Sequence, residues 1–430
     1  MTPEENDLLC RVEGDAPMGR IHRSFWIPAC LPEEVSEPGG KPLRVRLYGE
    51  DLVIFRDSSG RLGALGEYCP HRRVSLAYGR NEECGLRCLY HGWKFDVDGT
   101  ITDMPSEPPD TRMKQNIRHV AYPVHEGAGF VWLWMGDRAA MRPWEPPTWA
   151  PSEDTRIAVV RLKIRCNWAQ VLEGAIDSAH SSSLHSSDFL GVPVDKAEAH
   201  ETTWVRPSVD KAPRMVSQIN DWGFRYAAIR RPLYNEDTHH YVRTTLFVAP
   251  FYVLIPPNAT YNVAQALVPI DDENCWFNFI AWHPTKGIST EDWRKFCYAR
   301  PGIDLDPDWV PRRTRANDYL QDRAAMAAGD WTGIQGFTFQ DMAMWETMGP
   351  IAQRSEEKLG VSDLAVVQFR RQMVAAAKTV AEGGPVIGTR QPRVPFVKLA
   401  SFEGVVPKIE DWASFGVDPL EAALRRQAAE

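Results

Sequence analysis

The chain has 430 residues, 43% hydrophobic and 25% charged, with 57 acidic against 49 basic side chains for a formal charge of -8. That length suggests two or three domains that bury their cores without staples. The acidic balance, with no long Lys/Arg run, argues against a polyanion partner. Eight cysteines are too few for a disulfide scaffold. The acidic start MTPEENDLLCRVEGD has no apolar signal region, and no stretch approaches the roughly eighteen apolar residues of a membrane span. A cytoplasmic location is expected.

After the loop EEVSEPGGKP, the stretch LRVRLYGEDLVIFRDSSGRLGAL alternates apolar and polar residues. It reads as a meander of short antiparallel strands, with Leu43, Val45 and Leu47 on one face. Further strands are expected in RHVAYPVHEGAGFVWLWMGD, and the Pro-rich RPWEPPTWAPSED at 142 to 154 marks a domain boundary. Beyond it CNWAQVLEGAIDSAH reads as a helix. TTWVRPSVD, FRYAAIRRPLY and HYVRTTLFVAPFYVLIPP read as strands of a larger sheet. Segments 309–328 and 338–380 are expected as helices on that sheet, and PLEAALRRQAAE as a short terminal helix. The expected organisation is α+β: an all-β domain over residues 1–150, then an antiparallel sheet covered by helices, of helix-grip type, over 151–430.

Cys69 and His71 in EYCPHRRVSL are followed, after sixteen intervening residues, by Cys88 and His91 in RCLYHGWKFDVDG. Two thiolates and two imidazoles suit tetrahedral zinc, or a 2Fe-2S cluster with both cysteines on one iron and both histidines on the other. Each half repeats the order Cys then His between expected strands, unlike a zinc finger, whose second half is usually His with His.

A second constellation lies in NWAQVLEGAIDSAHSSSLHSSDF. Glu173, Asp177 and His180, at i, i+4 and i+7, share one face of a helix. The serines after His180 loosen the last turn, so that His185 can converge on it. Two neutral imidazoles and one carboxylate form the facial triad of non-haem Fe(II) oxygenases. Asp318, Asp322, Asp330, Asp341 and Asp363 are candidates for the carboxylate. Glu173 reads equally as a solvated or a structural side chain.

The loops CPHR and YHGWKFDVDG resemble the cluster-binding loops of Rieske proteins, and DSAHSSSLH resembles the mononuclear-iron motif of Rieske ring-hydroxylating oxygenases. The likeness covers nearly the whole chain and is greatest to the phthalate dioxygenase branch. It implies one 2Fe-2S cluster on Cys69, His71, Cys88 and His91, and one mononuclear Fe(II) on His180, His185 and Asp341, selected by the family pattern in FQDMAMWETMGP. It also implies that Asp177 bridges an iron-bound histidine to His91 of a neighbouring subunit, in a homotrimer or stacked trimers. Arg206 and Arg243 map to substrate-binding arginines of that branch. The implied reaction is cis-dihydroxylation of phthalate at its 4,5 positions, with another aromatic acid, or O-demethylation of an aromatic acid ether, as alternatives. A non-enzymatic Rieske electron carrier is the reading from another class. No G-x-G-x-x-G or flavin signature is present, so a separate flavin/iron-sulfur reductase is expected to supply the electrons.

Overall fold

The computed structural model describes residues 1–190, 204–258, 261–285, 287–391 and 393–416. The chain falls into two compact units, Val12–Trp144 and Met1–Arg11 with Glu145–Glu430. The first eleven residues therefore pack with the larger unit, although the sequence reading grouped them with the smaller. Helix α1 (Pro3–Cys10) is tied there through Asn6, which donates from Nδ2 to the Ala352 carbonyl at 3.0 Å and accepts from Arg354 Nη1 at 2.9 Å.

In the smaller unit, after helix α2 (Pro17–Arg23), strand β1 (Trp26–Cys30) leads into the meander β2 (Leu43–Leu47), β3 (Glu50–Arg56) and β4 (Leu62–Gly66). The meander forms where alternation placed it, with Val45 and Leu47 buried and Gly49 and Gly60 taking the positive φ of the tight turns. Strands β5 (Arg80–Glu82), β6 (Gly85–Arg87), β7 (Lys94–Phe95) and β8 (Ile101–Asp103) make a second small sheet. Short helix α3 (Met113–Asn116) precedes β9 (Ala121–Tyr122), which joins β4, and β10 (Val124–Gly127) pairs with β11 (Phe130–Trp134), which in turn pairs with β1. Between the sheets Val53, Phe55, Leu65, Leu76, Leu86 and Phe95 pack around the buried Cys69 and Cys88. Each such burial stabilises by about 1.5–3 kcal/mol.

The larger unit is built on an antiparallel sheet. Strands β12 (Arg156–Ile164), β15 (Arg214–Asn220), β16 (Gly223–Arg230), β17 (His239–Val248), β18 (Tyr252–Asn258), β19 (Tyr261–Pro269) and β20 (Cys275–His283) run in the order β12-β20-β19-β18-β17-β16-β15, and β21 (Phe402–Pro407) pairs with β17. Strand β13 (Phe189–Leu190) pairs separately with β14 (Trp204–Val205), the part of TTWVRPSVD found as strand. Among the described residues, α1 and the helices α4 (Trp168–Ile176), α5 (Thr290–Phe296), α6 (Arg323–Ala327), α7 (Phe337–Thr347) and α8 (Leu364–Ala381) belong to this unit. The face of α8 that carries Phe369 meets Phe247 of β17 and Trp168 of α4 edge-on, at ring-centroid distances of 5.1 and 5.8 Å.

Three helical expectations change. Segment 309–328 is mostly irregular: Asp318, Tyr319 and Leu320 take positive φ of 49–54°, which turns the Tyr319 hydroxyl inward to donate to Glu346 Oε2 at 2.7 Å. Segment 338–380 is broken between α7 and α8, where Gly349 takes a φ of 96° and Pro350 follows. Helix α4 stops at Ile176, so Glu173, Asp177 and His180 do not share a helix face. The terminal PLEAALRRQAAE lies outside the described residues.

Candidate metal centres and substrate cavity

The two Cys/His loops have the same backbone pattern. Cys69 N donates to Val74 O at 2.9 Å and Arg73 N returns to Cys69 O at 2.9 Å; Cys88 N donates to Trp93 O at 2.9 Å and Gly92 N to Cys88 O at 3.1 Å. The residue four places after each cysteine takes positive φ, 59° at Arg73 and 76° at Gly92. The loops bring His71 and His91 within 4.3 Å, centroid to centroid, and Trp93 stacks on His71 at 4.7 Å. Burial pushes the Cys69 thiol up to about 11, against backbone donors from His71 and Arg72 and with the Cys88 sulfur adding to the rise.

The end of α4 sets the second site. Asn167 caps the helix by accepting from Ala169 N at 3.0 Å. At the other end Asp177 leaves the helix, and its Oδ1 accepts from Ala179 N at 2.7 Å and His180 N at 3.3 Å. This Asx turn feeds a 3-10 turn over His180–Ser182, which brings His180 and His185 together where a continued helix would hold them apart. Asp341, on α7, meets both: its Oδ1 lies 3.5 Å from His180 Nε2 and 3.2 Å from His185 Nε2. The three offer ligand atoms within 4.8 Å of one another.

Each imidazole is oriented from its other nitrogen. Asp177 Oδ2 stands 3.6 Å from His180 Nδ1, and Gln340 Oε1 is 2.8 Å from His185 Nδ1. Gln340 is itself anchored, donating to Asp188 Oδ2 and Ile334 O, both at 3.0 Å. Burial alone would raise Asp177 and lower His180. The attraction between them reverses both shifts, with Asp341 adding to the rise at His180. Glu173 lies elsewhere. It is buried and holds Arg354 at 2.9 Å and Arg370 at 2.8 Å, a structural role.

The triad opens into a cavity walled by Phe279, Phe337, Trp345 and Val263 and by polar Tyr226, Thr245 and Gln265. Arg206 and Arg243 both line it. Arg206 Nη1 donates to Ser182 Oγ at 3.0 Å and Nη2 to Ser181 Oγ at 2.8 Å, which ties it to the turn that carries His180. Burial, then repulsion by Arg243 and Arg230, push Arg206 down to about 9. Arg243 pairs with Glu403 Oε2 at 2.9 Å. Burial would lower it, but Glu403 outweighs burial and holds it charged.

Residues 133–430 match the family model described as LigXa C-terminal domain like, and residues 25–122 match the Rieske [2Fe-2S] domain. Over 416 residues the chain is 57% identical to the phthalate 4,5-dioxygenase oxygenase subunit of Pseudomonas putida, covering 96% of this chain and 94% of that one. The chain belongs to the Rieske oxygenases. It is also 34% identical to the 3-chlorobenzoate-3,4-dioxygenase oxygenase subunit of Comamonas testosteroni, covering 98% of this chain and 99% of the relative. Among solved structures, dicamba monooxygenase bound to 3,6 dichlorosalicylic acid matches with a TM-score of 0.57 over 84% of this chain and 98% of that one. At 18% identity this is a likeness of fold.

As a Rieske oxygenase the chain carries a 2Fe-2S domain and a candidate mononuclear iron site, and both sets of residues fit their groups. The buried Nδ1 of His91 has no hydrogen-bond partner among the described residues, and the Nε2 atoms of His180 and His185 both face Asp341 Oδ1. Cys69 and Cys88 are buried thiols that a cation would hold as thiolates. Two imidazoles and a carboxylate are the donor set of a non-haem iron centre. No described helix is long and apolar enough to cross a membrane.

Sequence reasoning did not find Gln340, Glu403 or Arg230. Gln340 stands beside Asp341 in the chain, and a residue next to a ligand on a helix is a natural candidate for the hydrogen bond to a second ligand. Glu403 is separated from Arg243 by 160 positions and meets it only through the pairing of β21 with β17, for which the sequence carries no local signal.

Proposed function

We propose that this Rieske oxygenase is the terminal component of a system that uses O2 and two electrons from a separate flavin/iron-sulfur reductase to cis-dihydroxylate phthalate at its 4,5 positions. Cys69, His71, Cys88 and His91, within residues 1–150, hold the 2Fe-2S cluster. His180, His185 and Asp341, within 151–430, hold the mononuclear iron. The observation that carries this reading is a His/His/Asp triad opening into an aromatic-walled cavity that also presents two buried guanidiniums, Arg206 and Arg243. The relative that shares 57% of its residues is named for phthalate 4,5-dioxygenation.

When bound, the two iron groups supply electron transfer and oxygen activation. The residues of the chain do the positioning. Arg206 and Arg243 take the carboxylates, since a planar guanidinium binds a carboxylate in two-point fashion. Phe279, Phe337 and Trp345 hold the ring and keep water from the triad. Asp177 Oδ2, 3.6 Å from His180 Nδ1, favours by its charge the tautomer with the proton on Nδ1, which leaves Nε2 as a donor to metal. In a homotrimer or stacked trimers, Asp177 also faces His91 of a neighbouring subunit and links the two centres.

The Arg243–Glu403 pair favours a second reading. With Arg243 already neutralised, the pocket suits an aromatic monocarboxylate, including an ether that is O-demethylated. Turnover with a matched reductase, O2 and a panel of aromatic acids separates these. The expected product from phthalate is the 4,5-cis-dihydrodiol. Uncoupled peroxide from phthalate, together with hydroxylation or demethylation of another acid, would exclude it.

A further inference from the structure

The cavity face of the sheet carries more charge than the lining alone reveals. Strand alternation puts Tyr226, Ala228 and Arg230 on one face of β16, opposite Thr245, Arg243 and Tyr241 of β17. Strand β21 then places Glu403 across from Arg243. The pair is 2.9 Å apart and nearly buried, and Glu403 Oε1 also accepts from the Tyr241 hydroxyl. Towards the cavity Arg243 and Glu403 together are close to neutral.

Among the described residues Arg230 has no carboxylate at ion-pair distance, and Asp210 acts on it only from farther away. Arg230 is 2% exposed, and it spends Nε on Asp210 O at 3.2 Å and Nη2 on Ser178 O at 2.8 Å. Its buried Nη1 has no hydrogen-bond partner among the described residues. The Asp210 carboxylate turns instead to Arg231, with Oδ1 2.8 Å from Nη2. Burial and then repulsion by Arg243 push Arg230 down to about 10. A guanidinium still keeps its proton at neutral pH, so a buried charge remains that a nearby anion would relieve. Ser178, whose carbonyl Arg230 holds, lines the cavity.

We propose that Arg230 is a specificity-determining residue: from behind Ser178 its charge matches the second carboxylate of a dicarboxylate substrate, while the Arg243–Glu403 pair anchors by hydrogen bonding without net charge. The assignment rests on the aromatic-dicarboxylate reading above and deepens it. It also separates charge from contact, since Arg243 touches the cavity and Arg230 acts through its field.

Titration calorimetry of the holoenzyme without oxygen, using phthalate and monomethyl phthalate, tests this, because the two ligands share a ring and differ by one charge. Arg230→Gln removes the charge but keeps a donor for the Ser178 carbonyl. It is expected to weaken phthalate binding by about 10–100-fold and the monoester by less than about threefold. Arg230→Lys keeps the charge and is expected to keep the preference. Equal loss for both ligands in Arg230→Gln would make Arg230 only a cap on the Ser178 turn and would overturn the proposal. Should that variant not fold, Glu403→Gln decides. By exposing the charge of Arg243 it is expected to favour phthalate over the monoester by a further factor of about ten, and an unchanged ratio overturns the proposal. A wild-type enzyme that binds neither ligand overturns the substrate reading and this assignment together, an outcome distinct from equal loss in the variant.

Discussion

Asp341 is the single acceptor on which two imidazoles converge from a turn more than 150 positions earlier in the chain. Asp341→Asn removes the anion that offsets a divalent metal and leaves the cysteine-rich loops untouched. Iron is expected to fall from about three to about two per chain, with the visible spectrum of the cluster retained. Loss of all iron, or of none, would contradict the assignment. The candidate ligand types were legible because Cys/His and His/His spacings are local, and Asp341 was proposed from the pattern around it. Arg206 and Arg243 were likewise reached by position, and both line the cavity. What stayed hidden were the side chains that tune them: Gln340 on His185, Glu403 on Arg243 and Arg230 behind Ser178. Their roles come from contacts between distant strands and helices, which no periodicity encodes.

At the scale of elements, the convergence of the histidines depends on where α4 stops and how closely α7 approaches it. Sequence periodicity carried the helix through Asp177 and His180. The structure ends it at Ile176, because the Asp177 side chain hydrogen-bonds the next backbone amides and replaces the helical ladder. Gly174 is what admits α7: a Cβ there would stand 2.0 Å from Trp345 Nε1. Since Trp345 lies one turn beyond Asp341, Gly174→Ala is expected to displace the helix that carries Asp341, the carboxylate proposed for the iron. We expect about 1–3 kcal/mol of destabilisation and weaker retention of the mononuclear iron, measured by thermal unfolding and metal analysis. Unchanged iron occupancy would show that Trp345 moves alone.

Glu173, read from sequence as equally solvated or structural, joins α4 to Arg354 and to Arg370 of α8. Burial works to raise its pKa, but the two guanidiniums prevail and hold it below its ordinary value of 4.5. A depressed carboxylate contributes stability above its unfolded value, and loses it as pH falls from about 4.5 through the folded value. Acid titration is therefore expected to destabilise the wild-type larger unit in that window. Glu173→Gln should be flatter there and about 3–5 kcal/mol less stable at neutral pH, because two buried cations lose their partner. A variant as stable as wild type would remove this linkage.

At the scale of the whole molecule, composition and the Rieske loops made the class of the protein legible, and the strand order of the large sheet became clear only in the structure. Nothing local in the chain signals that β21, near its end, returns to β17 and brings Glu403 against Arg243. If electrons cross between subunits through Asp177, co-expressed chains that lack the cluster (Cys88→Ser) and chains that lack the iron (Asp341→Asn) should recover activity in mixed oligomers. Strict additivity of two inactive preparations would mean that transfer does not cross. The most direct test of the central claim is a single turnover of pre-reduced holoenzyme with phthalate and ¹⁸O-labelled O2, without reductase. The account predicts a 4,5-cis-dihydrodiol that carries label in both hydroxyls. Label in only one oxygen, or no ring hydroxylation at all, would contradict it.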